Sequence, residues 1–452
     1  MRPLQSRWVS PDDDSEHLGV ARSRSQEDSH LVPPDKVRAM LLGIPLRAIR
    51  AALFGIIITF VALPIAVLPY MADDTVNRNW PTYPLSEQIS SAWKLNNTWM
   101  YEQGRFFPGG SIYALTMWNL LSSRAAYMTY LVLLNILLVV LVALIIWRIT
   151  RSAHMAAFGG FATAMCLQLR FGYLDGIASF GGLVLYTLIL TLIAGLLAAH
   201  VLRGGSHWWA VVIVVVWGLA ITAYEVSLLM LPAVLLVLWA TGPSVRGEWR
   251  RWLWGALPLV VPAVLALGTS FYLRRHPLPL APAYQTNLDG PVWTTLGKQF
   301  TSALPFTQEG ILGAPFENRL AVMLLIVLAV PAFLAWRPWA VRGFAISPRV
   351  SAALIGAGLW AWVVPSVLAA VTARWQTELV WGQGYIYLAY EFVGLALVLT
   401  GIAGVVRSYA PAPWARVAFS VLFGIVLVAC VLTAAENILN VGTIVPGPAG
   451  PG

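Results

Sequence analysis

AYMTYLVLLNILLVVLVALIIW, Ala126–Trp147, runs for 22 residues without a charge, between Arg124 and Arg148. At a helical rise of about 1.5 Å per residue it crosses the roughly 30 Å hydrocarbon layer of a bilayer. Windows of similar length mark eleven expected spans, near 50–70, 126–147, 153–169, 178–201, 207–223, 226–241, 252–272, 320–336, 350–373, 384–406 and 416–435. The apolar run from Trp208 to Gly242 is too long for one crossing and divides at Tyr224-Glu225. A carboxylate costs far less at a hairpin tip than at mid-membrane.

Composition agrees. Hydrophobic residues make up 58% of the chain, charged residues 11%, and the mean hydropathy is +0.72, values foreign to a water-soluble domain of 452 residues. The expected fold is all-α, a polytopic transmembrane helical bundle. The net charge of +9 does not point to nucleic acid, because the basic residues stand beside apolar runs rather than in a clustered stripe. Membrane lipids are the expected surroundings, and nucleic acid is not an expected partner. Cys166 and Cys430 both fall inside apolar runs, which argues against a disulfide framework or a zinc site.

Residues 1–45 read as a disordered cytoplasmic tail, polar and mixed in charge, with too few large apolar side chains to offset the entropy of ordering. This tail is not expected to be a cleavable signal peptide. The transmembrane domain is expected over 46–436, with outer loops at 71–125 and 273–319, and a flexible external C-terminus over 437–452.

Orientation follows from short loops, whose Lys and Arg stay on the cytoplasmic side. One set of loops, holding Arg148, Arg151, Arg203, Arg246, Arg250, Arg251, Arg337, Arg342, Arg349, Arg407 and Arg416, contains Glu248 as its single acid. That side is expected to be cytoplasmic, in a cytoplasmic (plasma) membrane, with the amino terminus inside. The opposite side carries twelve acidic residues and both long loops. Acids contribute little to topology, so their crowding on one face points to an external polar cavity.

The first outer loop is the richest stretch. Leu85–Leu95 has helical apolar spacing, with Ser86 as its expected cap and Trp93 and Trp99 as interfacial anchors. Asp73 and Asp74 lie just past the first span, where an acid can be ionised and close to a lipid headgroup. Further on come Tyr101-Glu102-Gln103-Gly104-Arg105-Phe106-Phe107-Pro108-Gly109-Gly110. Glycines bring backbone close to a ligand, and a guanidinium grips phosphate with two donors. The plainer alternatives are a solvated helix end for the two aspartates and a simple ion pair for Arg105.

This layout resembles the GT-C class of membrane glycosyltransferases: a first span, Asp73-Asp74 at its outer end, an interfacial-helix loop, Gly104-Arg105-Phe106, and many spans interrupted by outer carboxylates. The resemblance covers about residues 45–240. It implies transfer of a sugar from a polyprenyl-phosphate donor to a cell-envelope glycan or lipid acceptor on the outer face, with an acid of the first outer loop as catalyst. Unlike the best-known members, no soluble outer domain is expected after the last span, which leaves the acceptor open.

The chemistry is also derivable from the residues. Sugar transfer from a phosphate leaving group needs a base for the acceptor hydroxyl, and Asp73 or Asp74 is the candidate. Adjacent acids repel, so they share a proton or are offset by Arg78 or Arg105; alternatively one of them ligates a divalent cation, while no other cofactor is expected. Arg105, with Arg170 behind it, is expected beside the departing phosphate. Direct displacement inverts the anomeric centre. Glu102, Gly104, Phe106, Asp175, Tyr224 and Glu225 complete the expected substrate-binding set. Asp175 also reads as a local partner of Arg170, and Glu225 equally as a polar plug. Glu391, two turns inside its span, is either neutral or beside a wet cavity. A transporter or lipid-linked sugar flippase also places carboxylates outward, but the Asp-Asp and Gly-Arg-Phe patterns have no second copy. A non-catalytic envelope-assembly protein would tolerate neutral replacements of the outer acids.

Overall fold

The computed structural model describes residues 45–170, 175–243, 247–275, 285–306, 319–341, 346–385 and 387–441. The expected tail up to residue 44, the parts 276–284 and 307–318 of the loop 273–319, and the end of the chain from 442 lie outside the described residues. Helices dominate, and the β-structure among the described residues is one isolated bridge between Thr286 and Thr372.

Eight helical segments are long and apolar enough to cross a bilayer, at 22 to 29 residues each. The first, Leu46–Val67, consists of α1 (Leu46–Ala62) and a 3-10 turn begun by Pro64. The others are α4 (Arg124–Thr150), Phe180–Leu202 around α6 (Leu183–Leu202), α9 (Trp249–Arg275) and Arg319–Ala340, followed by α13 (Pro348–Ala370), α15 (Leu388–Tyr409) and α16 (Ala412–Asn440). In the first outer loop stand α2 (Leu85–Asn97) and α3 (Pro108–Leu120), and before α13 come α10 (Val292–Ser302), α11 (Arg319–Leu324) and α12 (Val330–Trp336). The short α14 (Ala373–Glu378) follows α13. The last helix continues to Asn440, with Asn437 buried, so helix extends past the expected boundary at 436.

Three of the eleven expected spans are shorter helices: α5 (Ala153–Ala164), α7 (Trp209–Ala223) and α8 (Leu231–Thr241). At about 1.5 Å per residue, the 15 residues of α7 reach only some 22 Å. Tyr224 leaves it in an extended conformation, Glu225–Met230 forms a 3-10 turn, and α8 returns, so Thr241 shares a groove with Arg203 and Arg148. Glu225 therefore stands at a hairpin tip, the place where its charge is cheapest.

The α5 case shows how a short buried helix ends. Its last carbonyls are taken up by the turn after it, but the backbone of Met165–Leu169 then lies outside any helix, and hydrocarbon offers it no partners. The last helix supplies them. Thr433 donates to the Met165 carbonyl at 2.8 Å, and the Asn437 amide donates to the Leu167 and Val61 carbonyls, both at 2.9 Å, while its oxygen accepts from the Leu169 amide at 2.8 Å.

At the centre α13 and α15 touch backbone to backbone. A Cβ on Gly394 would lie 2.7 Å from the Gly358 carbonyl oxygen, so only glycine permits this approach. Basic residues gather at one end of the bundle: Arg203 donates to the Arg148 carbonyl, Arg50 to that of Ala335, Arg349 to that of Trp239 and Arg407 to that of Val341. The opposite end collects Asp73, Asp74, Glu225 and Glu436 with the first outer loop. There α2 buries Gln88 and Ala92 and exposes Leu85, Ile89 and Trp93 along one face, the pattern of a helix lying on a membrane surface. It starts directly after Pro84 with no side-chain cap; Ser86 falls inside its first turn and is not the expected cap.

Candidate functional site

The two aspartates part company. Ala72 takes a left-handed backbone at φ 48°, unusual for a residue with a Cβ, and the chain turns there into the single helical turn Asp74–Asn77. Asp74 is driven into the bundle, 1% exposed, where the Tyr127 phenol donates to it at 2.5 Å. Burial pushes its pKa up to about 8, against the opposing pull of the Tyr127 hydrogen bond. At neutral pH its protonated form is favoured, and its carboxyl is turned toward Tyr127. Asp73 remains exposed at the rim of a cleft. The protein around it raises its pKa by desolvation, while Arg374 pulls the other way.

Arg105 arrives at the same cleft by a different route. The chain leaves a π-helical turn at Thr98–Glu102, reverses at Gly104 with φ 62°, and the Arg105 amide closes onto the Trp99 carbonyl at 2.9 Å. Gly109 and Gly110 then let α3 press on the hairpin tip, since a Cβ on either would come within 2.9 Å of Ala223 backbone. This contact brings Arg105 and Glu225 together, with Nε donating to Oε1 at 2.5 Å. The guanidinium lies 4.6 Å from the Phe107 ring centroid and 4.9 Å from that of Trp99.

Asp73, Arg105, Tyr224, Arg374, Trp375 and Tyr385 all line this one cleft of about 400 Å³. Three of them, Arg374, Trp375 and Tyr385, were not among the sequence candidates. They come from the connection between α13 and α15, where Trp375 and Tyr385 stack with ring centroids 3.6 Å apart and Arg374 lies over Trp375 while pairing with Glu378 at 2.9 Å. An arginine beside a tryptophan in a short acid-side loop was the available signal. Beneath them Glu391 is fully buried, accepting from Gln299 and Ser366, each at 3.0 Å, and Gln299 in turn accepts from the Tyr385 amide at 2.8 Å. Glu391 is a foundation of the cleft wall rather than part of its surface.

Other expected binding residues stand elsewhere. Phe106 packs against the apolar cluster around α6, α7 and α9, and its neighbour Phe107 takes the cleft position. Glu102 and Gly104 are not lining residues; Gly104 serves through its backbone turn and its carbonyl, which accepts from Arg274 at 3.3 Å. Arg170 and Asp175 are loop-building groups. Arg170 is 2% exposed and donates to the Ser302 carbonyl at 2.6 Å, and Asp175 accepts from the backbone amides of Arg170, Ile177 and Ala178 at 2.7, 2.8 and 3.0 Å.

No group of three or more His, Cys, Asp or Glu with metal-binding geometry occurs among the described residues, and Asp74 turns away from Asp73 toward Tyr127. Comparison with known protein families, curated proteins and solved structures yields no match.

Proposed function

We propose that this protein is a membrane-embedded glycosyltransferase of GT-C type, moving a sugar from a polyprenyl-phosphate donor to an envelope glycan or lipid acceptor at the acidic end of the bundle, which faces outward from the plasma membrane. The observation that carries the reading is the shared cleft, where an exposed carboxylate, two guanidiniums and a wall of aromatic rings meet. Aromatic faces suit a sugar ring, and guanidiniums suit a phosphate.

In the proposed step Asp73 accepts the acceptor hydroxyl's proton as that oxygen bonds to the anomeric carbon. The bond from that carbon to the phosphate oxygen breaks, and its electron pair leaves on the phosphate, beside Arg105 and Arg374. Charge grows on the phosphate during the step, so positive groups fixed there favour the transition state over the ground state. Attack opposite the phosphate inverts the anomeric centre.

The test is transfer from labelled polyprenyl-phosphate sugars to a panel of envelope glycans and lipids by purified, reconstituted protein. Wild type and Asp74→Asn should transfer, with product of inverted configuration, and Asp73→Asn should lose about 10²- to 10⁴-fold of the rate. Undiminished transfer by Asp73→Asn removes it as the base. Movement of the intact lipid-linked sugar across the bilayer, with no transfer, puts the transport reading first.

A further inference from the structure

At the opposite end from the cleft, α4, α6 and α8 wall a narrow groove whose floor includes Ala357 of α13 and Val393 and Leu397 of α15. It is slender, with a cavity volume of about 70 Å³, and its lining is almost wholly apolar from Leu192 up to Ala199. Along α6 from Leu192 to Arg203 it rises about 16 Å, half the thickness of a hydrocarbon layer. At its mouth the character changes abruptly, because Arg148 and Arg203 line it there.

Those two arginines and Arg151 form a cluster of exposed guanidiniums with no acidic partner among the described residues. Arg203 donates to the Arg148 carbonyl at 3.2 Å, which fixes the two side by side. Burial and then the like charges of Arg151 and Arg148 lower the Arg203 pKa. Positive charge above an apolar slot is complementary to a phosphate diester carried on an acyl chain.

We infer that this groove is a binding site for one anionic glycerophospholipid, its phosphate held by Arg148 and Arg203 and one acyl chain lying along α6 between α4 and α8. The site is separate from the cleft at Asp73, so its occupancy does not depend on the transferase reading. A lipid there fills the space between the short hairpin helix α8 and the long α4, keeping that side of the bundle packed.

The test uses the full-length protein in nanodiscs of equal phosphatidylglycerol and phosphatidylcholine, with lipid retained through detergent exchange counted by native mass spectrometry. Wild type should retain phosphatidylglycerol in roughly tenfold preference. The double variant Arg148→Gln, Arg203→Gln should lose that preference, and Arg148→Lys, Arg203→Lys should keep it. Excess inorganic phosphate should not displace the lipid, because the chain contributes to binding. Equal retention of the two lipids by wild type, or displacement by phosphate, overturns the proposal whatever the variants do.

Discussion

Arg105 and Glu225 lie 120 positions apart and form an ion pair at 2.5 Å, joining the first outer loop to the tip of the α7–α8 hairpin. Arg105 is 9% and Glu225 23% exposed, so removing one partner strands a charge that water reaches poorly. Glu225→Ala is expected to destabilise the protein by about 2 to 4 kcal/mol, measured by thermal unfolding in detergent. Replacing both, as Arg105→Met with Glu225→Leu, should recover most of that stability. Failure of the double variant to recover any would mean that the pair's packing, not its charge, holds the loop.

Asp74 gives the fold a pH dependence of definite sign. Its pKa rises from 3.8 in the unfolded chain to about 8 in the bundle, so the folded state binds the extra proton between those values. Its contribution to stability is full below about pH 4 and is lost as the pH climbs toward 8, with a slope of at most about 1.4 kcal/mol per pH unit. Asp74→Asn should flatten that part of the stability profile; an unchanged slope would refute the assignment.

Gly394 tests the central contact. In Gly394→Ala the new methyl meets the Gly358 carbonyl oxygen at 2.7 Å, and α13 must move away from α15. The expected loss is about 1 to 3 kcal/mol. Gly55, whose Cβ position has nothing within 4 Å, supplies the control: Gly55→Ala should leave the melting temperature unchanged or raise it.

Glu391 should behave as a support of the cleft wall. Glu391→Leu leaves Gln299 and Ser366 without their shared acceptor inside the bundle, at a cost of about 1 to 3 kcal/mol. Because Gln299 also holds the Tyr385 amide, ligand affinity in the cleft should fall with it. Glu391→Gln keeps an acceptor oxygen and should retain most of both properties. Equal damage from the two variants would point to a need for the acid itself.

The physics of burial decided what could be read in advance. Apolar length located the long helices within a few residues, and the cost of a carboxylate in hydrocarbon correctly split the run at Tyr224-Glu225. Gly104-Arg105 stood out because glycine spacing advertises a backbone reversal beside a cation. Which of Asp73 and Asp74 lines the cleft was illegible, since it turns on one left-handed residue, Ala72, whose side chain carries no such message. Arg374 and Tyr385 reach the cleft only through tertiary packing of α13 against α15, which no local pattern announces. Arg170 donates to the backbone carbonyl of Ser302, 132 positions away, a tertiary contact that its local sequence does not announce.

Asn437 closes the molecule into a ring, because one amide near the end of the last helix joins the first span to the end of α5. Those carbonyls emerge early in synthesis, and the group that satisfies them is among the last to be made. During membrane insertion the early helices must therefore wait, with polar backbone sheltered by water, translocon or neighbouring lipid headgroups, until translation is nearly complete. A truncation before residue 430 would strand them in that state, making the nascent chain a substrate for membrane quality control rather than a smaller working version of the protein.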